Sequence, residues 1–154
     1  MSTPFYNSPG TFAIYKTKGV AKFSVIPVTI NNENTYPTVE RNGAVLVEAA
    51  PSETKDPRTN LPLYIWDRKV TFALQAGDIS QIFESSGTGE VRLVHKKDNS
   101  IKNLNITPGK DKYAGTYMLY MKDSTNQVSV PISAGEYDTL MVLIRQALPR
   151  IIGW

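Results

Sequence analysis

The C-terminal stretch SAGEYDTLMVLIRQALPRIIGW, Ser133 to Trp154, decides how the rest of the chain is read. Ser133 followed three residues later by Glu136 is a capping box: the hydroxyl accepts from the backbone N–H of Glu136, and the carboxylate reaches back to the N–H of Ser133. The spacing predicts a helix from about Ala134 to Leu148, stopped by Pro149. Leu140-Met141-Val142-Leu143-Ile144 is five apolar residues in a row, which places apolar side chains all around that helix. A terminal helix buries only one face against its own domain, so the other face needs a partner, most simply a second copy of the chain. Leu140, Met141, Leu143, Ile144, Leu148 and Ile151 are the candidate oligomer interface. Tyr137 and Trp154 are assigned to packing of the helix.

Upstream, the pattern has a period of two. Residues 1–15 are read as a flexible arm and 16–154 as one domain, since 154 residues suffice for a single core. Gly19 to Ile30 reads as a strand whose parity switches at Ile26-Pro27, which predicts a bulge and an edge position. Arg41-Asn42-Gly43 reads as a hairpin turn into an apolar strand, Ala44 to Ala50. Residues 51–62, with Pro51, Pro57 and Pro62, read as a long loop. Val70, Phe72, Leu74 and Ala76 alternate as a half-buried strand, and Asp78 reads as the N-cap of a short helix, Ile79 to Ser85. Four further strands follow in 90–132, with Leu104 and Ile106, Leu119 and Met121, and Val128, Val130 and Ile132 inward. Connections this short exclude crossover helices and make the sheets mostly antiparallel, giving an α+β fold.

Composition removes most site chemistry. There is no Cys and one His, so thiolate metal sites, cysteine nucleophiles and paired-histidine metal sites are excluded. Ser85-Ser86-Gly87-Thr88-Gly89 and Pro108-Gly109-Lys110 lack the strand, loop and helix context of a phosphate cradle and read as turns. A carboxylate-dependent hydrolase has no supporting constellation, and neither a cofactor, a metal, a small-molecule substrate nor a membrane span is expected. The first ten residues carry no charge, so no secretion signal or transit peptide is expected there. The expected setting is intracellular, cytoplasmic or nucleoid-associated, or an organelle if a presequence has been removed.

What composition leaves is charge and rings. Lys16, Lys18 and Lys22 make residues 1–30 a +3 block without an acid, and seven bases against three acids make 88–122 a +4 block. If the two blocks meet in space, they form one cationic face. Basic groups release counterions from phosphates, and aromatic rings stack on unpaired bases. Phosphate candidates are Lys18, Lys22, Arg68, Lys69, Arg92, Lys96, Lys102 and Lys122. Stacking candidates are Trp66 and Tyr120, whereas Tyr117 shares a face with Leu119 and Met121 and is assigned to the core. The rival reading is a structural oligomer whose lysines only solubilise it.

Tyr64-Ile65-Trp66-Asp67-Arg68-Lys69 before a strand, and the closing Leu148-Pro149-Arg150-Ile151-Ile152-Gly153-Trp154, resemble two motifs of the Whirly family of single-stranded DNA-binding proteins. Lys18-Gly19-Val20-Ala21-Lys22-Phe23-Ser24-Val25 is similar to the family's Lys-Gly-Lys-Ala-Ala-Leu-Thr-Val strand, with Val20 in place of the second Lys. Val130-Pro131-Ile132-Ser133 matches its turn into the long helix, so the resemblance spans roughly Lys16 to Trp154. It implies two antiparallel four-stranded sheets packed crosswise, with a C-terminal helix in the core of a homotetramer. It also implies binding of single-stranded DNA with little sequence specificity, in replication, recombination or repair. Trypanosomatid mitochondrial RNA-binding proteins share that architecture, which makes an RNA-binding or annealing factor the alternative. Val20 removes the lysine that plant members associate with larger assemblies.

Overall fold

The computed structural model describes residues 10–154. Along the chain come β1 (Thr11–Tyr15), β2 (Gly19–Ile26), β3 (Thr29–Asn31), β4 (Thr38–Arg41), β5 (Ala44–Lys55), β6 (Pro62–Tyr64) and β7 (Val70–Leu74). Helix α1 (Ala76–Glu84) follows, then β8 (Val91–Lys97), β9 (Ser100–Pro108), β10 (Tyr117–Lys122), β11 (Gln127–Ile132) and helix α2 (Ala134–Ile152). One sheet runs β1-β2-β5-β6, with β7 also paired to β5; the second runs β11-β10-β9-β8; β3 and β4 form a separate ribbon. Every strand pairing is antiparallel. The fold is α+β, as the alternation and the short connections require.

Strand parity builds the core. Ile14, Ala21, Phe23, Val47, Phe72 and Leu74 of the first sheet are buried together with Leu93, Leu104, Leu119, Met121 and Val130 of the second. Helix α2 closes this core with Tyr137, Leu140, Ile144, Ala147 and Ile151, spaced three and four apart so that they share one face. Its capping box forms as expected, with the Glu136 N–H donating to Ser133 Oγ at 3.1 Å and the Ser133 N–H donating to Glu136 Oε1 at 2.9 Å. Tyr137 is buried and stacks on Tyr117 at 3.8 Å between centroids, so Tyr137 packs the helix and Tyr117 packs against the core as expected. Pro131 is tolerated because β11 is an edge strand.

Several expectations are corrected. The proposed arm extends too far, because Thr11–Tyr15 is a strand paired along its length with Val20–Ser24; residues 1–9 lie outside the described residues. Pro27 ends β2 rather than bulging it, and the chain turns into the β3–β4 ribbon. Arg41-Asn42-Gly43 is not a hairpin turn, since β4 pairs with β3 and β5 with β2. Gly43 is small for another reason: a Cβ there would lie 2.3 Å from the Ile26 carbonyl oxygen and 2.8 Å from Ile151 Cα. The predicted 51–62 loop is half strand, because β5 continues to Lys55 and β6, beginning at Pro62, returns against it. Ala76 lies in the helix, which begins one turn early, with Gln75 as N-cap and Asp78 as the reaching carboxylate.

Helix α2 does not stop at Pro149. It continues to Ile152 and ends on Gly153 at φ +76°, whose N–H donates to the Pro149 carbonyl at 3.0 Å. A helix end leaves carbonyls without partners. Here the carbonyls of Arg150 and Ile151 accept from Val28 and Gly43, each at 2.9 Å, so loop backbone holds the last turn beyond the proline. Leu140, Ile144 and Ile151 are removed from the candidate interface, since each is at most 2% exposed within its own chain. Leu143 remains exposed beside Val142, and Met141 and Leu148 pack partly on the core. Trp154 is 97% exposed among the described residues and does not pack on the helix, which corrects its assignment. Among the described residues no helix is long and apolar enough to cross a membrane.

Candidate nucleic-acid interface

One lysine of each basic block, Lys22 and Lys102, comes to the same stretch of the first sheet, whereas Lys16 pairs with Glu136. Lys102 of β9 reaches across to the first sheet, where its Nζ donates to Thr71 Oγ1 at 3.1 Å. Thr71 is the register partner of Glu48, whose carboxylate lies 3.6 Å from Lys22 Nζ and 2.8 Å from Lys69 Nζ. Lys22 of the first block and Lys102 of the second thus contact neighbouring residues of one register pair, Glu48 and Thr71. Beside this pair runs an open groove of about 890 Å³, walled by Ala73 and Gln75 on one side and by Val94, His95, Lys96, Lys97 and Lys102 on the other.

Position alone does not make each base available to a phosphate. Lys22 and Lys69 share the single carboxylate of Glu48, Arg68 is paired with Glu53, and Arg92 is paired with Glu90 at 2.7 Å. These four candidates therefore carry less net charge than the sequence suggests. Lys18 and Lys122 are exposed, Lys18 in the β1–β2 turn and Lys122 at the end of β10 opposite Asn103. Lys96 and Lys97 have no ion pair among the described residues and line the groove with Lys102. Lys110 and Lys112 lie in the β9–β10 connection at the other end of the sheet, Lys112 with its ammonium 5.1 Å above the Tyr113 ring. The +4 block therefore splits into two parts.

The rings divide as well. Tyr120 is half-buried on the open face of the second sheet, and its hydroxyl donates to Gln127 Oε1 at 3.1 Å. Trp66 is half-buried in a one-turn 3-10 segment, Trp66–Arg68, with its indole nitrogen enclosed by protein. It belongs more to the wall of the first sheet than to an exposed platform.

Sequence reading missed two lining residues of this groove, Lys97, which is not among the phosphate candidates, and His95. The place of His95 in a run of charges hides that it shares strand parity with buried Val91 and Leu93, which turns it inward. The ring stacks on Phe72 and its Nε2 lies 2.8 Å from Asp78 Oδ2. Among the described residues no group of three or more His, Cys, Asp or Glu is arranged to hold a metal. The groove presents the lysine ammoniums, the carboxylate of Asp98 and the polar side chains of Gln75, Asn99, Ser100 and Ser124, and its positive charges outnumber the one carboxylate.

Comparison with known proteins agrees with this architecture. The chain is similar to WHY1 of Arabidopsis thaliana, with a TM-score of 0.79 at 19% identity over 100% of this chain and 89% of that one. It is similar to WHY3 of the same plant, with a TM-score of 0.75 at 22% identity over 99% and 92%. A structure titled as the plant transcriptional regulator PBF-2 gives 0.72 at 18% identity over 94% and 90%. No curated protein matches the chain. The family described as the Whirly transcription factor matches residues 14–143, most of the length, and the chain belongs to the Whirly family.

Proposed function

We propose that this chain binds single-stranded DNA with little sequence preference. One observation carries the reading: Lys96, Lys97 and Lys102 surround an open groove that joins the two sheets, with no carboxylate paired to any of them among the described residues. Ammoniums on a groove track phosphates without reading bases, and a tyrosine on a sheet face stacks on any base at ~1–3 kcal/mol. A flexible single strand follows such a groove, whereas a rigid duplex meets only its rim. The family described as a transcription factor, and a structural neighbour titled as a transcriptional regulator, support a nucleic-acid partner.

The same reading places the chain in a homotetramer that protects or remodels single strands during replication, recombination or repair. The exposed side of α2 supports self-association. Val142 and Leu143 are 58% and 43% exposed, next to a second groove of about 400 Å³ lined by Phe12, Phe23, Val25 and Ile144. Nothing in the proposed role calls for a nucleophile, a cofactor or a membrane.

The test is fluorescence anisotropy with a labelled oligonucleotide as a single strand, as a duplex and as RNA of the same sequence. The expected result is submicromolar binding of the DNA single strand at low salt, with the duplex outcompeted. Equal affinity for duplex, or none for either form, overturns the reading. Tighter binding of RNA makes the chain an RNA-binding factor of the same fold.

A further inference from the structure

His95 is the single histidine of the chain and stands on the wall of the groove between the sheets. Its ring is fixed from two directions. Nε2 is held 2.8 Å from Asp78 Oδ2, and one face stacks at 4.0 Å between centroids on Phe72, which is itself buried. Asp78 is fixed in turn, because the same Oδ2 accepts the N–H of Gln75 at 2.9 Å in the capping box of α1. About a third of the imidazole is open, with 32% of the side chain exposed.

These restraints determine what the ring offers a ligand. An ionised carboxylate only accepts hydrogen bonds, so the hydrogen of the neutral ring sits on Nε2 and Nδ1 keeps its lone pair. Nδ1 has no partner among the described residues. A lone pair repels an anion in the groove, whereas a protonated Nδ1 donates a charge-assisted hydrogen bond to it. The surrounding charges make the choice depend on the ligand. Lys96 and Lys97 follow His95 on β8, Lys102 is its register partner on β9, and Asp98 begins the turn between them. Helix α1 presents Asp78, and β7 presents the uncharged ring of Phe72. The three lysines repel another positive charge beside them, while Asp78 attracts it. Phosphates held by those lysines cancel the repulsion.

Building on the reading that this groove takes a single strand, we propose that His95 is a proton-linked phosphate contact. Binding favours a proton from solvent on Nδ1, which then donates to a phosphate oxygen while Asp78 holds the opposite nitrogen. By reciprocity, protonation of His95 strengthens binding by the same factor that binding favours protonation.

The experiment measures oligo-dT affinity by anisotropy at constant ionic strength, for the wild type and for His95→Gln, whose amide retains a hydrogen-bond donor for Asp78. Proton linkage at this one site tightens wild-type binding roughly three- to tenfold between about pH 8 and about pH 5.5, with a fraction of a proton, at most about one half, taken up per binding event, and leaves His95→Gln flat. Calorimetry in two buffers of different ionisation heat measures the proton taken up by the wild type directly, a readout that survives if the variant does not fold. Binding with no net proton uptake, or a pH dependence retained in His95→Gln, overturns the proposal. If oligo-dT fails to bind at any pH, the single-strand reading itself fails and the proposal falls with it.

Discussion

Replacing Lys96, Lys97 and Lys102 together by Ala removes the three groove lysines that pair with no carboxylate among the described residues. Each phosphate neutralised on a single strand contributes about 0.7 to the slope of log affinity against log salt, so the triple variant flattens that slope by about 2. Relative to a 1 M reference, the same loss weakens binding at about 0.1 M salt by ~100-fold. Fold stability is little affected, because Lys96 and Lys97 are exposed and Lys102 forfeits one hydrogen bond, to Thr71, worth about 1 kcal/mol. The assay is anisotropy titration of a labelled oligo-dT over a salt series, with circular dichroism to establish folding. Arg92→Ala is the control: its guanidinium is already paired with Glu90, so it shifts the slope less than any one of the three lysines. A folded triple variant with an unchanged slope would falsify the placement of the phosphate track in this groove.

Glu48→Gln tests the opposite change, because it releases Lys22 and Lys69 from their shared carboxylate; the salt slope steepens in the same titration, and a shallower slope contradicts the pairing. Gly43→Ala forces a Cβ against backbone at 2.3 and 2.8 Å and disturbs the bonds to Arg150 and Ile151, at a cost of about 2–4 kcal/mol in urea unfolding. A cost below ~0.5 kcal/mol returns Gly43 to a simple turn role. Leu143→Asp lowers the sedimenting mass without lowering the melting temperature, whereas Leu140→Asp unfolds the chain, since only Leu143 is exposed. Burial pushes Glu136 up, but its hydrogen bonds with Lys16 and Ser133 and the Lys16 charge outweigh this, so its pKa is lowered from the ordinary 4.5. Its stabilising contribution is therefore full above 4.5 and is lost as the pH falls through the lowered value, and Lys16→Met reduces that loss in acid melting curves. Tyr137 has the reverse sign: burial, then the neighbouring Tyr117 and Asp138, raise it from 10.0. Stability is therefore full below 10.0 and is lost as the pH rises through the raised value, a fall that Tyr137→Phe lessens.

The candidate site was partly legible along the chain. Residue type and strand parity named Lys96 and Lys102, which line the groove, and they placed Tyr117 against the core and Tyr120 on the open face. Pairing was not legible, because an ion pair depends on register. Glu48 neutralises Lys22 from the neighbouring strand, a relation fixed by the β2–β5 alignment and invisible along the sequence. The same holds for His95, whose meaning comes from Phe72 and Asp78 some twenty residues away.

By itself the sequence determined the local structure. Period-two alternation set the strands of the second sheet, the Ser133–Glu136 box started the long helix, and the lack of Cys and of paired His excluded whole classes of chemistry. These signals act over a few residues and depend on side-chain type alone. Tertiary structure decided where such signals stop. The helix runs past Pro149 because Val28 and Gly43 supply the hydrogen bonds that its last turn lacks, and β5 runs past Pro51 because β6 returns to pair with it. Of the apolar residues around α2, it alone chose Leu140, Ile144 and Ile151 for the core and left Leu143 outside. Five apolar residues in a row say that a helix has two apolar sides. Only the packed sheets say which side is already taken.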